Sequence, residues 1–250
     1  MGEPGVCLRF DEDLRFFLAP RHRQPGVRVR CDGTSTVGHL VESLGVPLTE
    51  VGTLAVGGRP VTASYRPADG DVVEVGPPDR PQRLPVASLR FVLDVHLGTL
   101  ARRLRLVGAD CAYSNDAADD ELIAQANAEN RVLLTQDRGL LRRRSLRLGG
   151  YVRGTRADQQ LRDVLDRFAP PLAPWTRCTA CNGQLAAVPK ADVERLLPPG
   201  TRRTYHEFAR CRECGQVYWR GAHSRRLDRI VAAAVAAQAG LTDRAAGPGT

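Results

Sequence analysis

The sequence predicts an α/β protein built from three pieces, and three observations carry that reading. Two proline-rich runs cut the chain, at Gly76–Pro81 and Ala169–Pro174, and consecutive prolines end helices and strands. Between the cuts, strand-like and helix-like patterns alternate, which implies a mainly parallel sheet with helices on both faces. Beyond the second cut, two C-x-x-C pairs stand 29 residues apart, a pattern that suits a small zinc ribbon. The expected organisation is a first domain at 1–76, a linker at 77–87, the alternating domain at 88–169, the ribbon at 170–226, and a closing helix with a frayed tail at 227–250.

In the first piece, Val6–Phe10, Val27–Cys31, Leu54–Val56 and Val72–Val75 read as short strands. Thr34, Ser35 and Thr36 are capping candidates for a helix over Val37–Leu44, while Gly57-Gly58 and Asp69-Gly70 mark turns. In the second piece, Ser88–Leu93 is an apolar run ending at Asp94. His96–Leu106 places Leu97, Leu100, Ala101 and Leu104 on one helical face. Asp116–Asn130 reads as a helix with acids in its first turn, followed by a buried strand at Arg131–Thr135. A basic segment at Leu140–Arg147, a strand at Tyr151–Arg153 and a helix over Gln159–Phe168 complete the alternation. The closing segment Arg225–Ala239 is alanine-rich and helical in pattern, and Gly240–Thr250 reads as the tail.

The chain has 250 residues, of which 42% are hydrophobic and 26% charged, ordinary values for a globular protein. No apolar run is long enough to span a bilayer, and charged residues from Glu3 to Arg15 interrupt the start. Neither a membrane span nor a secretory signal is expected. Seven cysteines, four of them in C-x-x-C pairs, fit zinc in a reducing cytoplasm better than a disulfide framework. The net charge of +8 is uneven: −2 over residues 1–80, +4 over 81–168 and +6 over 169–250. The last two thirds are therefore expected to face a polyanion, nucleic acid first among the candidates. Lys190 is the only lysine, so the position of the charge carries this argument and the arginine identity does not.

Asp94 and Asp137 each follow a strand, where ligands of open α/β sheets gather, and Asp119 or Asp120 can supply a third carboxylate from a first helical turn. Acids converging on one crevice call for a hard cation such as Mg²⁺ or Mn²⁺. The plain alternative is that each acid caps a helix or answers its dipole. Cys178, Cys181, Cys211 and Cys214 present four thiolates for a structural zinc, with no need of His206 or His223. Cys7, Cys31 and Cys111 read as small buried hydrophobes. Arg102, Arg103 and Arg105 follow Asp94, and Arg138, Arg142, Arg143, Arg144 and Arg147 follow Asp137, as phosphate contacts or as solvated helix faces. Tyr205, Tyr218 and Trp219 either stack on bases or fill the ribbon core. His96 suits substrate contact or a structural hydrogen bond.

The order of elements in the first piece is that of a β-grasp module and resembles the ubiquitin-like and sulfur-carrier family, most visibly in Val37–Val46, Leu54–Gly58 and Asp69–Val75. That family acts through a free terminal Gly-Gly, whereas this chain continues past Val75. The resemblance therefore implies a module that docks on a protein partner and has no carrier chemistry.

Phe91–Arg105, Asp120-Glu121-Leu122 and Arg131–Leu140, with Cys178-x-x-Cys181-Asn182-Gly183 and Cys211-x-x-Cys214-Gly215-x-x-Tyr218-Trp219, resemble the Mut-seven carboxy-terminal RNase domain family over roughly residues 88–225. Members often carry a ubiquitin-like extension. The resemblance implies a PIN-like nuclease fold with a fused zinc ribbon and metal-dependent cleavage of RNA. By position it assigns Asp94, Asp120 and Asp137 as the acids that hold Mg²⁺ or Mn²⁺. Asp158 is the choice for a fourth, with Asp116 and Asp163 behind it. Gln136 stands where the family commonly has arginine, leaving Arg138 as the nearer phosphate contact. Arg102, Arg103, Arg105, Arg138 and Arg142–Arg144 are the expected RNA-binding residues. The rival expectation is a non-catalytic RNA-binding or ribosome-associated adaptor that works through the basic surface and the ribbon.

Overall fold

The computed structural model describes residues 5–221 and 224–245, with side chains of the closing helix described from 227 to 240. His223 and the expected tail residues 246–250 lie outside the described residues. The chain divides into two compact units: the segment up to Arg80 together with Thr135–Tyr151, and Pro81–Leu134 together with the segment from Val152 onward.

Strand β1 (Gly5–Phe10) buries Val6, Leu8 and Phe10 at the period of two that strands impose. Asp11 caps the short helix α1 (Glu12–Arg15), its side chain accepting from the Asp13 amide. Strand β2 (Val27–Arg30) pairs antiparallel with β1. Helix α2 (Val37–Ser43) starts at Thr36, whose Oγ1 accepts from His39 N at 3.3 Å, and buries Val37, Leu40 and Val41. Strands β3 (Thr53–Val56) and β4 (Arg59–Pro60) are joined by Gly57 and Gly58, both at positive φ, before β5 (Val72–Gly76). The sheet order is β2-β1-β5-β3-β4, with β1 and β5 parallel at its centre. This is the β-grasp arrangement expected from the sequence.

The second piece follows with β6 (Phe91–Leu93), α3 (Gly98–Leu106), β7 (Cys111–Tyr113), α4 (Asp119–Ala128), β8 (Val132–Thr135), α5 (Arg138–Leu141), β9 (Gly149–Tyr151) and α6 (Ala157–Phe168). Strand β6 pairs in parallel with β7 on one side and β8 on the other. Every residue of β6 and β8 is buried, the signature of a parallel sheet covered on both faces. Strand β7, three residues long, was not anticipated because Cys-Ala-Tyr shows no alternation.

The segment after β8 belongs to the first unit, and specific contacts hold it there. Arg138 lays its guanidinium 4.3 Å over the Phe16 ring and donates to the Phe17 carbonyl. The Tyr151 amide donates to Glu50 Oε1 at 2.8 Å, and its ring meets Phe17 edge-on at 5.3 Å. Gly149 permits this approach, since a Cβ there would stand 2.9 Å from Leu141 and Leu146 and 3.2 Å from Thr49.

The second proline run is docked at its carboxyl end. Ala173 N donates to Val107 O and Trp175 N to Leu106 O, at 3.0 and 3.1 Å, so the run lies against the end of α3. The ribbon consists of β10 (Leu185–Val188), the short helices α7 (Lys190–Val193) and α8 (Pro199–Thr204), β11 (Phe208–Cys211) and β12 (Val217–Trp219). Its antiparallel sheet covers a core of Val193, Leu197, Phe208 and Val217. Helix α9 (Ser224–Ala245) lies beside α6, and its Ile230, Ala233 and Ala234 line a cavity together with Leu161 and Leu165 of α6. It runs through Gly240 to Ala245, where the tail was expected to have begun. No helix among the described residues is long and apolar enough to cross a membrane.

Candidate functional site

Asp94 ends β6. Its backbone N donates to Leu134 O at 3.0 Å, and its carbonyl accepts from Leu97 N at 2.9 Å. The residue is 6% exposed, and its side chain does not cap the turn that it opens. Asp137 differs: it is exposed, and its Oδ1 accepts from Gly139 N at 2.6 Å and Leu140 N at 3.4 Å. It is therefore the N-cap of α5, and its own amide donates to Thr135 Oγ1 at 2.8 Å. Asp120 is exposed in the first turn of α4, beside Asp119 and Glu121, where the helix dipole favours acids.

Asp158 was expected as a fourth catalytic acid and Arg103 as an RNA contact. The structure instead joins them in an ion pair between α6 and α3. The opposed charges answer each other, so neither group meets the site with its charge uncommitted. Of the other candidates, Asp116 accepts from Ser114 Oγ, and Asp163 accepts from Arg153 N at 2.8 Å. Among the described residues, the group of His, Cys, Asp or Glu side chains gathered closely enough to hold a metal ion is the four cysteines, and it includes no carboxylate. His96 is exposed.

Arg105 was also expected on an RNA-facing rim and is instead 3% exposed. Its Nε donates to Cys111 O at 2.8 Å, and its Nη1 donates to Ala180 O at 2.7 Å and Thr179 O at 3.2 Å. A guanidinium meets three carbonyls well because its donors are fixed in a planar fork. Arg138 is occupied by Phe16 and Phe17, as described. Arg102, Arg142, Arg143 and Arg144 are exposed, the last three just beyond α5 in the first unit.

Sequence reasoning missed the ion network at the base of the sheet. Asp110 Oδ1 accepts from Arg131 Nη1 at 2.6 Å and Asn182 Nδ2 at 2.9 Å, and Oδ2 lies 3.2 Å from Arg177 Nη2. Burial raises the Asp110 carboxyl, but the bonds from Arg131 and Asn182 and the charges of Arg131 and Arg177 bring it below its ordinary value. Arg131 also donates to Glu129 Oε2 at 2.6 Å and Phe91 O at 3.1 Å. The signal available was a charged residue directly before each of two apolar strands. Burial pushes the neighbouring Cys111 thiol up to about 12, which suits the small buried hydrophobe expected there.

The sulfur atoms of Cys178, Cys181, Cys211 and Cys214 all lie within 4.8 Å of one another, Cys178 and Cys211 buried and the other two exposed. Backbone amides point at the first knuckle: Cys181 N lies 3.5 Å from Cys178 Sγ and Gly183 N lies 3.4 Å from Cys181 Sγ. Asn182 makes the turn at φ +73°. Although burial opposes it, the Tyr218 hydroxyl at 3.0 Å and the Cys181 amide bring the Cys178 thiol down to about 6. Four clustered thiols with amides aimed at them form the donor set that structural zinc takes.

The model of the Mut7-C RNAse domain family matches residues 89–231, and the model of the Mut7-C ubiquitin family matches residues 3–83. Among solved structures, the crystal structure of the small archaeal modifier protein 1 of H. volcanii is similar at 22% sequence identity. The match covers 31% of this chain and 100% of that one, with a TM-score of 0.25. No curated protein matches the chain.

Proposed function

Because this chain belongs to the Mut7-C RNase domain family, which matches 89–231, we propose that it is a ribonuclease that cleaves RNA phosphodiester bonds with a divalent cation held by carboxylates. The observation that carries this reading is the position of Asp94, a residue 6% exposed that directly follows the central strand β6 at its carboxyl end. That edge is where open α/β sheets bind ligands. Asp94, Asp120 and Asp137 are the acids proposed to hold Mg²⁺ or Mn²⁺, an all-oxygen donor set of the kind hard cations take. When bound, such a cation supplies an activated water and answers the charge that develops on the phosphodiester. Arg102 and Arg142–Arg144 are proposed to hold the RNA backbone. Zinc at Cys178, Cys181, Cys211 and Cys214 is proposed to be structural.

A second reading, a non-catalytic RNA-binding adaptor, is favoured by two observations: Asp137 caps α5, and Asp158 is paired with Arg103. The two readings separate in a cleavage assay on single-stranded RNA, structured RNA and DNA in Mg²⁺, Mn²⁺ or EDTA, with Asp94→Asn alongside. Metal-dependent cutting that Asp94→Asn loses supports the nuclease. Salt-sensitive RNA binding without cutting in either protein supports the adaptor.

A further inference from the structure

Of the three ribbon aromatics, the structure gives two of them structural work. Tyr205 packs against the ribbon core, and Tyr218 bonds Cys178 Sγ at 3.0 Å and Thr179 Oγ1 at 3.3 Å. Trp219 stays 37% exposed. It lines a cleft of about 900 Å³ together with Trp175, His206, Glu207 and Arg220, within the size of small-ligand sites. Trp175 holds φ +65°, a left-handed conformation that a bulky residue rarely adopts, and its ring has the Arg220 guanidinium 5.3 Å over it.

We propose that this cleft binds unstacked nucleobases of single-stranded RNA. The argument is chemical complementarity. An exposed indole offers a face on which any base stacks. His206 and Glu207, both exposed, offer a donor and an acceptor to base edges. Arg220, also exposed, brings positive charge beside them for the adjoining phosphate, in a piece that carries 12 basic and 6 acidic residues from 169 to 250. None of the proposed cation-holding acids lines the cleft, so binding here and cleavage are separable. The choice of ligand rests on the RNA-cleaving reading.

Trp175 and Trp219 are the two tryptophans of the chain, so tryptophan emission reports on this cleft. The test titrates full-length zinc-loaded protein, without added Mg²⁺ or Mn²⁺, with fluorescein-labelled oligouridylate of about ten nucleotides. Emission and anisotropy are read together, beside an abasic strand of equal length. The expected result is quenching by the base-bearing strand alone. Trp219→Ala is expected to weaken binding by about tenfold or more, with Trp219→Tyr restoring most of it. Unchanged zinc content and circular dichroism check that Trp219→Ala and Trp219→Tyr keep the fold.

RNA binding with no change in emission, equal quenching by the abasic strand, or wild-type affinity in Trp219→Ala overturns the proposal. Quenching by an acidic peptide with none by RNA also overturns it. The cleavage assay decides the nuclease reading independently: quenching without cleavage leaves the cleft standing and sinks the nuclease, and cleavage with unaltered Trp219→Ala binding does the reverse.

Discussion

Arg105 Nη1 donates to the carbonyl oxygen of Ala180 at 2.7 Å, tying helix α3 to the turn between the first two cysteines. The same side chain holds Cys111 O of the sheet, so one guanidinium joins helix, sheet and ribbon. Arg105→Ala is expected to leave three carbonyls short of a donor, that of the buried Cys111 among them, and to cost about 2 kcal/mol. Urea unfolding monitored by circular dichroism measures this, and Arg105→Lys should recover part of the loss.

Exposed arginines should behave differently. If Arg142 and Arg144 hold the RNA backbone, replacing each with alanine lowers the slope of log affinity against log salt by about 0.7. Arg105→Ala, once corrected for unfolded protein, leaves that slope unchanged. Binding of single-stranded RNA between about 50 and 200 mM salt separates the two outcomes.

The acids are ranked by their surroundings. Asp94→Asn is expected to reduce cleavage by at least about 100-fold with little loss of RNA affinity. Asp158→Asn, whose partner is Arg103, should lose less than about tenfold. A cycle of Arg103→Ala and Asp158→Ala should show a stability coupling of about 0.5 kcal/mol. Cleavage rates of the wild type, Asp94→Asn and Asp158→Asn check the first two statements, and unfolding curves of the four proteins of the cycle check the third.

Acid should weaken the sheet base. Asp110 is depressed in the folded chain, so its contribution is complete above the unfolded carboxylate value near 4 and is lost as pH falls through the lower folded value. Stability measured by urea from about pH 7 to pH 3 should therefore drop at the acid end. Asp110→Asn, which cannot titrate, should flatten that drop and cost about 2 kcal/mol at neutral pH by leaving Arg131 and Arg177 poorly answered.

Chelation tests the ribbon. One zinc per chain is expected in purified protein, and its removal by a strong chelator should lower the melting temperature and expose Cys178 and Cys211 to thiol reagents. Cys214→Ser should reproduce the loss without chelator.

The cysteine cluster was legible because its signal is local: spacing alone brings each pair into a knuckle. Strands β1, β2, β3 and β5 of the first sheet and β6 and β8 of the second were legible for a similar reason, since burial on one or two faces imprints a pattern on consecutive residues, while the three-residue β7 was too short to show one. The fate of the arginines was not. Arg102, Arg103 and Arg105 are near neighbours in sequence, yet one is exposed, one is paired with Asp158 and one is buried on carbonyls. Those differences arise from α6 and the first knuckle, which no local window contains. The grouping of 135–151 with the first unit was hidden in the same way, because Glu50, Phe16 and Phe17 lie far from Tyr151 in the chain.

That grouping limits how this protein can be taken apart. A gene fission at the first proline run would leave Arg138 and Tyr151 on a fragment without the Phe16, Phe17 and Glu50 that hold them. The ubiquitin-like module is therefore no exchangeable cassette. A foreign β-grasp domain grafted before Pro81 would need to carry the same aromatic pair and buried glutamate. Chimeras that lack them should express as insoluble or protease-sensitive chains, with the first cuts falling between Gln136 and Gly150.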